Sequence, residues 1–485
     1  MSVAYLNTLL DDGIIELTEE ERRGRIQAFI FHFGKGFWEW SKVSLTLSKR
    51  CLKVVNRMDE TEKSFHKFLL LWAGNFVSSV GSGLTSFGLG VYIFKQTGRA
   101  SLMALVTLLA FLPSLLLSVP AGVLADRYDR RILMVLGDSL SALGLLYILL
   151  CLMQGEAQIW QICVGVTVSS VFASLLEPAY KSTITDLLTA EQFSKASGLV
   201  QLAGSAKYLL SPVLAGFLLG IADIRLLLII DICTFFVTVS TTLVVRKGLT
   251  GRSVPVSSSM ASELREGFRG LTEKKGVFLL AAMGSAITFC LGVVQTLASP
   301  MVLSFSNSTV LGTMMTVVAL GMLVSSFILG SITIKKGYSR LLASSLFGAG
   351  VFMALFGLRE DIIFISVSGF LFFAMLPFAN TSIDYLIRTN VDNQIQGRVW
   401  GIIGLISQLG YVAAYAVSGI LADYVFTPLL LPEGVLAGSV GKILGTGDGR
   451  GIGFLIVLSG AAALRNRCYA LGYEIYPRAG KKRCL

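Results

Sequence analysis

Beyond residue 65 the chain runs from one long apolar stretch to the next. Twelve can be marked, at 68–94, 101–124, 132–153, 158–180, 196–220, 223–245, 276–304, 309–334, 341–358, 361–387, 397–427 and 451–464. Roughly 17–25 apolar residues in a helix cross the hydrocarbon of a bilayer, and most of these stretches reach that length. With 54% hydrophobic and 15% charged residues in a chain of 485, there is too little polar surface to cover a water-soluble core. Fifty glycines suit close helix contact where burial against lipid gives little drive. The expected fold is an all-α polytopic membrane protein of about twelve transmembrane helices.

A formal charge of +11 raises nucleic acid as a partner, but the placement of the charge argues against it. With the N-terminus in the cytoplasm, cytoplasmic segments hold 34 Lys and Arg, outer loops hold 6, and Lys207 lies inside a span. That bias fixes a multi-pass orientation in the inner (plasma) membrane with both termini cytoplasmic. The surplus can also attract anionic lipid, and no nucleic-acid motif accompanies it. Seven scattered cysteines include no Cys-x-x-Cys pair, and His32 and His66 are the only histidines. No metal site, cofactor or enzymatic constellation is therefore expected.

The stretches divide as six and six. Residues 1–65 are a polar extension, 66–245 a first six-helix bundle, 246–275 a charged cytoplasmic linker, 276–464 a second bundle and 465–485 a basic tail. Pro178, Ser182, Ile184, Leu187 and Leu188 recur as Pro377, Thr381, Ile383, Leu386 and Ile387, always 199 residues on. A looser copy relates Gly122–Arg127 to Gly330–Lys335. Two pseudo-symmetric six-helix bundles are the expectation. Two readings stay open at each end. Thr18 to Glu21 forms a capping box, and Phe29 to Trp40 fits an interfacial segment; alternatively Met58 is the working start. After Leu464, either Tyr469–Tyr473 completes the last helix past Arg465 and Arg467, or the reading frame has shifted.

Between spans two and three lies Gly122-Val-Leu-Ala-Asp-Arg-Tyr-Asp-Arg-Arg131. Gly122 permits close helix contact. Asp126 stands at the membrane surface, where it can accept from a helix N-terminus or an arginine. Arg127, Arg130 and Arg131 hold the loop inside and can pair with carboxylates. With Leu124, these residues resemble the signature loop of the major facilitator superfamily, a conformational latch. In span five, Ser211, Pro212 and Gly216 resemble that superfamily's antiporter motif, with Ser211 in place of its first glycine. Ile229–Phe236, Leu264–Phe268, Gln396-Gly-Arg398 and the glycine-rich Gly445–Gly453 make the chain similar to the macrolide-efflux subgroup of bacterial exporters, which includes siderophore exporters. The resemblance covers residues 66 to 460. It implies proton-coupled export of amphipathic small molecules by a monomer. The Gly445–Gly453 run lacks the Gly-Lys-Ser/Thr ending of a phosphate loop, so nucleotide-driven pumping is disfavoured.

Ionisable residues inside spans cost about 2.5–3.5 kcal/mol on insertion scales and mark function by default. Lys207 and Asp231, on neighbouring antiparallel spans, are expected to approach and pair, either to couple proton entry to substrate exit or to orient two helices. Glu177 and Asp138 are expected near cytoplasmic ends, either against Arg130 or Arg131 or, for Glu177, attracting cationic substrate, with Glu177 also a candidate coupling group. Asp384 and Asp423 read as snorkelling side chains. Residues 158–176 lack the span-four arginine of many drug:proton antiporters, so proton coupling rests on the resemblance. Asn75, Gln201 and Asn380 are candidate cavity residues or helix-packing groups. Other readings are a lipid or lysolipid flippase, a solute importer, or a non-transporting membrane sensor.

Overall fold

Each apolar run forms a helix, and short polar connections set where it stops. The computed structural model describes residues 60–188, 192–246, 275–332, 337–391 and 396–464; the extension before residue 60, the charged linker and the basic tail lie outside them. The helices are α1 Glu60–Thr97, α2 Ala100–Arg127, α3 Arg130–Met153, α4 (Ile159–Ala173 and, after a break, Leu176–Leu187), α5 Phe193–Ile221, α6 Ile224–Arg246, α7 Lys275–Leu303, α8 Ser308–Ser331, α9 Tyr338–Phe356, α10 Ile362–Asn390, α11 Gln396–Leu421 and α12 Asp448–Leu464. Side chains cap several helix starts: Asp129 accepts from Arg131 N, Asn307 from Val310 N and Asp361 from Phe364 N. Residue 60 and residue 464 share one face of the bundle, called here the terminal face; the opposite face is the distal face.

Among the described residues, ten helices are long and apolar enough to cross a membrane. In the other two of the expected twelve, the apolar part described is shorter, Lys207–Ile221 within α5 and Asp448–Leu464 in α12. Span four departs from a single helix, breaking at Ser174 and Leu175, whereas its repeat partner α10 runs unbroken through Pro377. Past Leu421, α11 loosens into a π turn, Ala422–Phe426, before the short helix Thr427–Leu430. Gly445 (φ +88°) and Gly447 (φ +140°) then turn the chain into α12, so the glycine-rich run is a turn feeding a helix.

Two bundles result, α1–α6 and α7–α12. In the first, α1 packs on α5 and α6, and α3 on α4 and α6; in the second, α7 packs on α11, and α10 on α8 and α9. The bundles meet chiefly through two pairs, α5 with α8 and α2 with α11. These pairs exchange under the six-helix repeat, which is the relation a pseudo-two-fold requires. Their cores differ. One continuous apolar cluster runs through the second bundle from Val277 to Ile456 and takes in Val91 and Ala100 of the first. The first has two, one around Ile93, Ile148 and Leu227 toward the distal face, the other around Phe68, Met134 and Tyr180 toward the terminal face.

Candidate functional site

Near the division between those two clusters, the first bundle buries two carboxyl groups. Asp231 of α6 and Asp138 of α3 are each 1% exposed, and they lie within electrostatic reach of each other. At 1.5 Å per residue, Asp138 stands about 12 Å inside α3 from Arg130, far from a surface position. Its Oδ2 accepts no hydrogen bond among the described residues. Around Asp231 the sequence places small and hydroxyl residues on α1 and α6. Ser82 Oγ donates to Asp231 Oδ1 at 3.4 Å, and Thr234 Oγ1 reaches the same oxygen at 3.5 Å. Gly81 lets α1 come this close, because a Cβ there would stand 2.8 Å from Asp231 Oδ1. Further along α6, Thr238 is buried and Gly74 of α1 packs against Thr241, so hydroxyl groups line much of the α1–α6 contact.

The expected Lys207–Asp231 pair is corrected in detail. Lys207 is half-buried on α5 and its charge acts on Asp231, but no ion pair within 4 Å joins them among the described residues. The groups in hydrogen-bond reach of Asp231 include the Ser82 and Thr234 hydroxyls. The expected contacts of Asp138 and Glu177 with the signature-loop arginines are also replaced. Arg130 Nη1 binds Asp186 at 2.7 Å and the Ser182 carbonyl at 3.2 Å, while its Nε donates to the Ala125 carbonyl. It thereby ties the ends of α2 and α4 to the start of α3. Glu177 is exposed and pairs with Lys181 one turn on.

The remaining signature residues fall as follows. Leu124 packs on the terminal-side cluster, Arg127 is exposed and Arg131 is buried. The side chain of Asp126 lies outside the described set. Gly122 does not serve a close contact, since a Cβ there would meet nothing within 4 Å. In α5, by contrast, Gly216 lies against the start of α8: a Cβ on it would be 2.6 Å from the Ser308 carbonyl. Ser211 is fully buried and donates to the Val80 carbonyl at 3.0 Å, tying α5 to α1. The Pro212 carbonyl faces Gly312 of α8. Of the candidate cavity residues, Asn75 is half-buried, Asn380 is exposed and the Gln201 side chain lies outside the described set.

Sequence reading missed an aromatic group where the bundles meet. Phe111 of α2 stands 5.7 Å from Tyr411 and 5.6 Å from Tyr415 of α11, ring centre to ring centre. Tyr415 donates to Gln295 of α7 at 2.7 Å. The i, i+4 spacing of Tyr411 and Tyr415 was the available signal, since it puts both rings on one helix face. Also missed was Asp423 in the π turn. It does not snorkel; its two oxygens accept from Ala100 N at 3.0 Å and Ser101 N at 2.7 Å, at the start of α2 in the other bundle.

Comparison with known proteins follows the same outline. The sequence profile described as Major Facilitator Superfamily matches residues 71–415. Macrolide efflux protein A of Streptococcus pyogenes is 25% identical over 368 residues, covering 74% of this chain and 89% of that protein. The Staphyloferrin A transporter of Staphylococcus aureus is 23% identical over 360 residues, covering 71% and 85%. The crystal structure of the nucleoside transporter NupG aligns with a TM-score of 0.67 at 12% identity, covering 84% of this chain and 99% of that one. Six-plus-six helices, bundles meeting through symmetry-related helix pairs and a profile match over most of the membrane region lead to one conclusion: the chain belongs to the Major Facilitator Superfamily, and within it is similar to macrolide-efflux-type members.

Proposed function

We propose that this transporter exports amphipathic small molecules in exchange for protons, with Asp231 as the coupling group and Asp138 as its electrostatic partner. The observation that carries the reading is the buried carboxyl pair in the first bundle. Charged groups deep in a membrane protein are retained where a pathway needs them. Here Asp231 faces a helix contact among hydroxyls that can pass a hydrogen bond to either protonation state. Lys207 stands near enough to respond when Asp231 changes charge.

The terminal face is assigned to the cytoplasm, because Lys and Arg concentrate in the segments on that side, and the membrane is the plasma membrane. The cargo is a bulky amphiphile held between the bundles, below Phe111, Tyr411 and Tyr415, whose rings offer apolar faces and whose hydroxyls offer polar handles. Relatives named for macrolide efflux and for staphyloferrin A transport point to that class of molecule. The signature loop is the latch of the terminal face, Arg130 with Asp186 being its closure within the first bundle. The segment 246–275 links the two bundles, and the monomer is the working unit.

The test is transport into everted vesicles with a panel of macrolides, siderophores and cationic dyes. Accumulation of at least one compound, abolished by a proton uncoupler and by Asp231→Asn, is expected. Accumulation that survives both treatments would overturn proton coupling through Asp231.

A further inference from the structure

The bundles are held together at the distal face by a cap that crosses between them. Its donors are the first two backbone N–H groups of α2, at Ala100 and Ser101, and its acceptor is the carboxylate of Asp423 from α11. Such a pairing is normally made within one helix, by the residue just before it. Here the residue in that place, Arg99, is extended (φ −110°, ψ 121°) and its side chain makes no cap. The second bundle supplies the cap instead, and a negative charge at a helix start gains from the aligned peptide dipoles. Asp423 reaches this point from the π turn Ala422–Phe426. Gly419, one turn earlier, lies against Ser101 and Ala104, so the two helices touch closely where the cap forms.

On the symmetry-related side, Thr309 Oγ1 of α8 donates to the Gly216 carbonyl at 3.2 Å and Thr316 Oγ1 to the Leu209 carbonyl at 2.8 Å. Those bonds join neutral groups, and the Asp423 cap is the charged member of the set. Beside it a cavity of about 410 Å³ opens between the bundles, lined by Phe94, Arg99, Asp423, Tyr424 and Asp448 among others. Solvent on the distal side therefore reaches the carboxylate, and the contact can be made and broken without burying a bare charge.

We infer that Asp423 is the positioning residue of the distal gate: its cap on α2 holds that face shut, and release of the cap opens the transporter on that side. The inference rests on the superfamily fold and not on the cargo or the driving ion. It also gives a role to a carboxylate at the end of a membrane helix whose own start it does not cap.

The experiment is a spin-label distance measurement across the distal face, with labels at Gln154→Cys in the first bundle and Lys442→Cys in the second, after replacement of the seven native cysteines. Three variants are compared with the parent. Asp423→Ala removes the acceptor. Asp423→Asn keeps an oxygen but drops the charge. Ala100→Pro removes one donor from the opposite bundle, at a first helical position and after an extended residue, where proline is tolerated. Asp423→Ala and Ala100→Pro are expected to raise the ratio of long to short distances by about tenfold, within the usual range of such couplings, with Asp423→Asn between them and the parent. Distances in folded Asp423→Ala and Ala100→Pro proteins that match the parent would overturn the assignment. Because the readout needs no substrate, it stands or falls separately from proton-coupled export.

Discussion

At Asp231 the hydroxyl oxygens of Ser82 and Thr234 stand at 3.4 and 3.5 Å, longer than bonds to a fully engaged carboxylate. Gly81 supplies the room for this contact. A methyl there would stand 2.5 Å from Thr234 Oγ1 and 2.8 Å from Asp231 Oδ1. Gly81→Ala is therefore expected to lower stability by about 1–3 kcal/mol, the usual cost of overpacking, seen as an earlier melting transition by fluorescence-detected size exclusion in detergent. An unchanged transition would mean that α1 and α6 separate at no cost. Asp231 was legible in the sequence because an acid seven residues into an apolar run has few innocent explanations. Asp138 was not, because Arg130 and Arg131 close by made it look superficial. Its depth comes from α3 packing along α4, where Gly137 lies against Phe172 and Leu176, and neighbouring charges in sequence do not report that.

Among the elements, α5 and α8 make the tightest crossing between the bundles. Gly312 sits under the Pro212 carbonyl, and its Cα is the neighbour that a Cβ on Gly216 would meet at 3.3 Å. Gly312→Val cannot be accommodated without moving the helices apart. It is expected to shift the distal-face equilibrium toward opening by about 5–150-fold, for a coupling of 1–3 kcal/mol, read from the same pair of labels as the Asp423 variants. The element least able to hold itself is α12. It starts at Asp448 and is fixed there by Arg450, 3% exposed, which binds Glu360 at 2.5 Å and the Leu444 carbonyl at 2.9 Å. Glu360→Gln removes the charge from a half-exposed partner and is expected to cost about 1–3 kcal/mol, less than a fully buried pair, with Glu360→Asp restoring part of it in the same melting assay. That α12 is short was plain from the run ending at Leu464. How it is anchored was not, because its partner lies 90 residues earlier in the connection between α9 and α10.

For the whole molecule, the six-plus-six plan was readable from run lengths and from the 199-residue repeat. The interface was not. Helices such as α2 and α8 are apolar all round, so their pattern does not separate a face toward lipid from a face toward the partner bundle. Small residues such as Gly216, Gly312 and Gly419 mark the contact only once the helices are in place. The orientation proposed from charge placement gives its own prediction. Lys442→Cys on the distal face is expected to react with a membrane-impermeant maleimide in intact cells, and Arg127→Cys on the terminal face only after permeabilisation. The reverse pattern would invert the topology and with it the direction of transport. The halves are alike in topology and unlike in composition at their cores. Buried carboxylates sit in the first bundle, and one continuous apolar cluster fills the second.

The π turn at the end of α11 has a consequence for register. A π turn spans one residue more than the α-helical turn it replaces. A regular turn in its place, one residue shorter, would rotate every residue beyond it by about 100° around the helix axis. The segment so placed is Thr427–Leu430, and Gly451 of α12 comes directly against the Thr427 backbone. The wide turn that carries the α2 cap is thus also the joint that sets how the last helix is received.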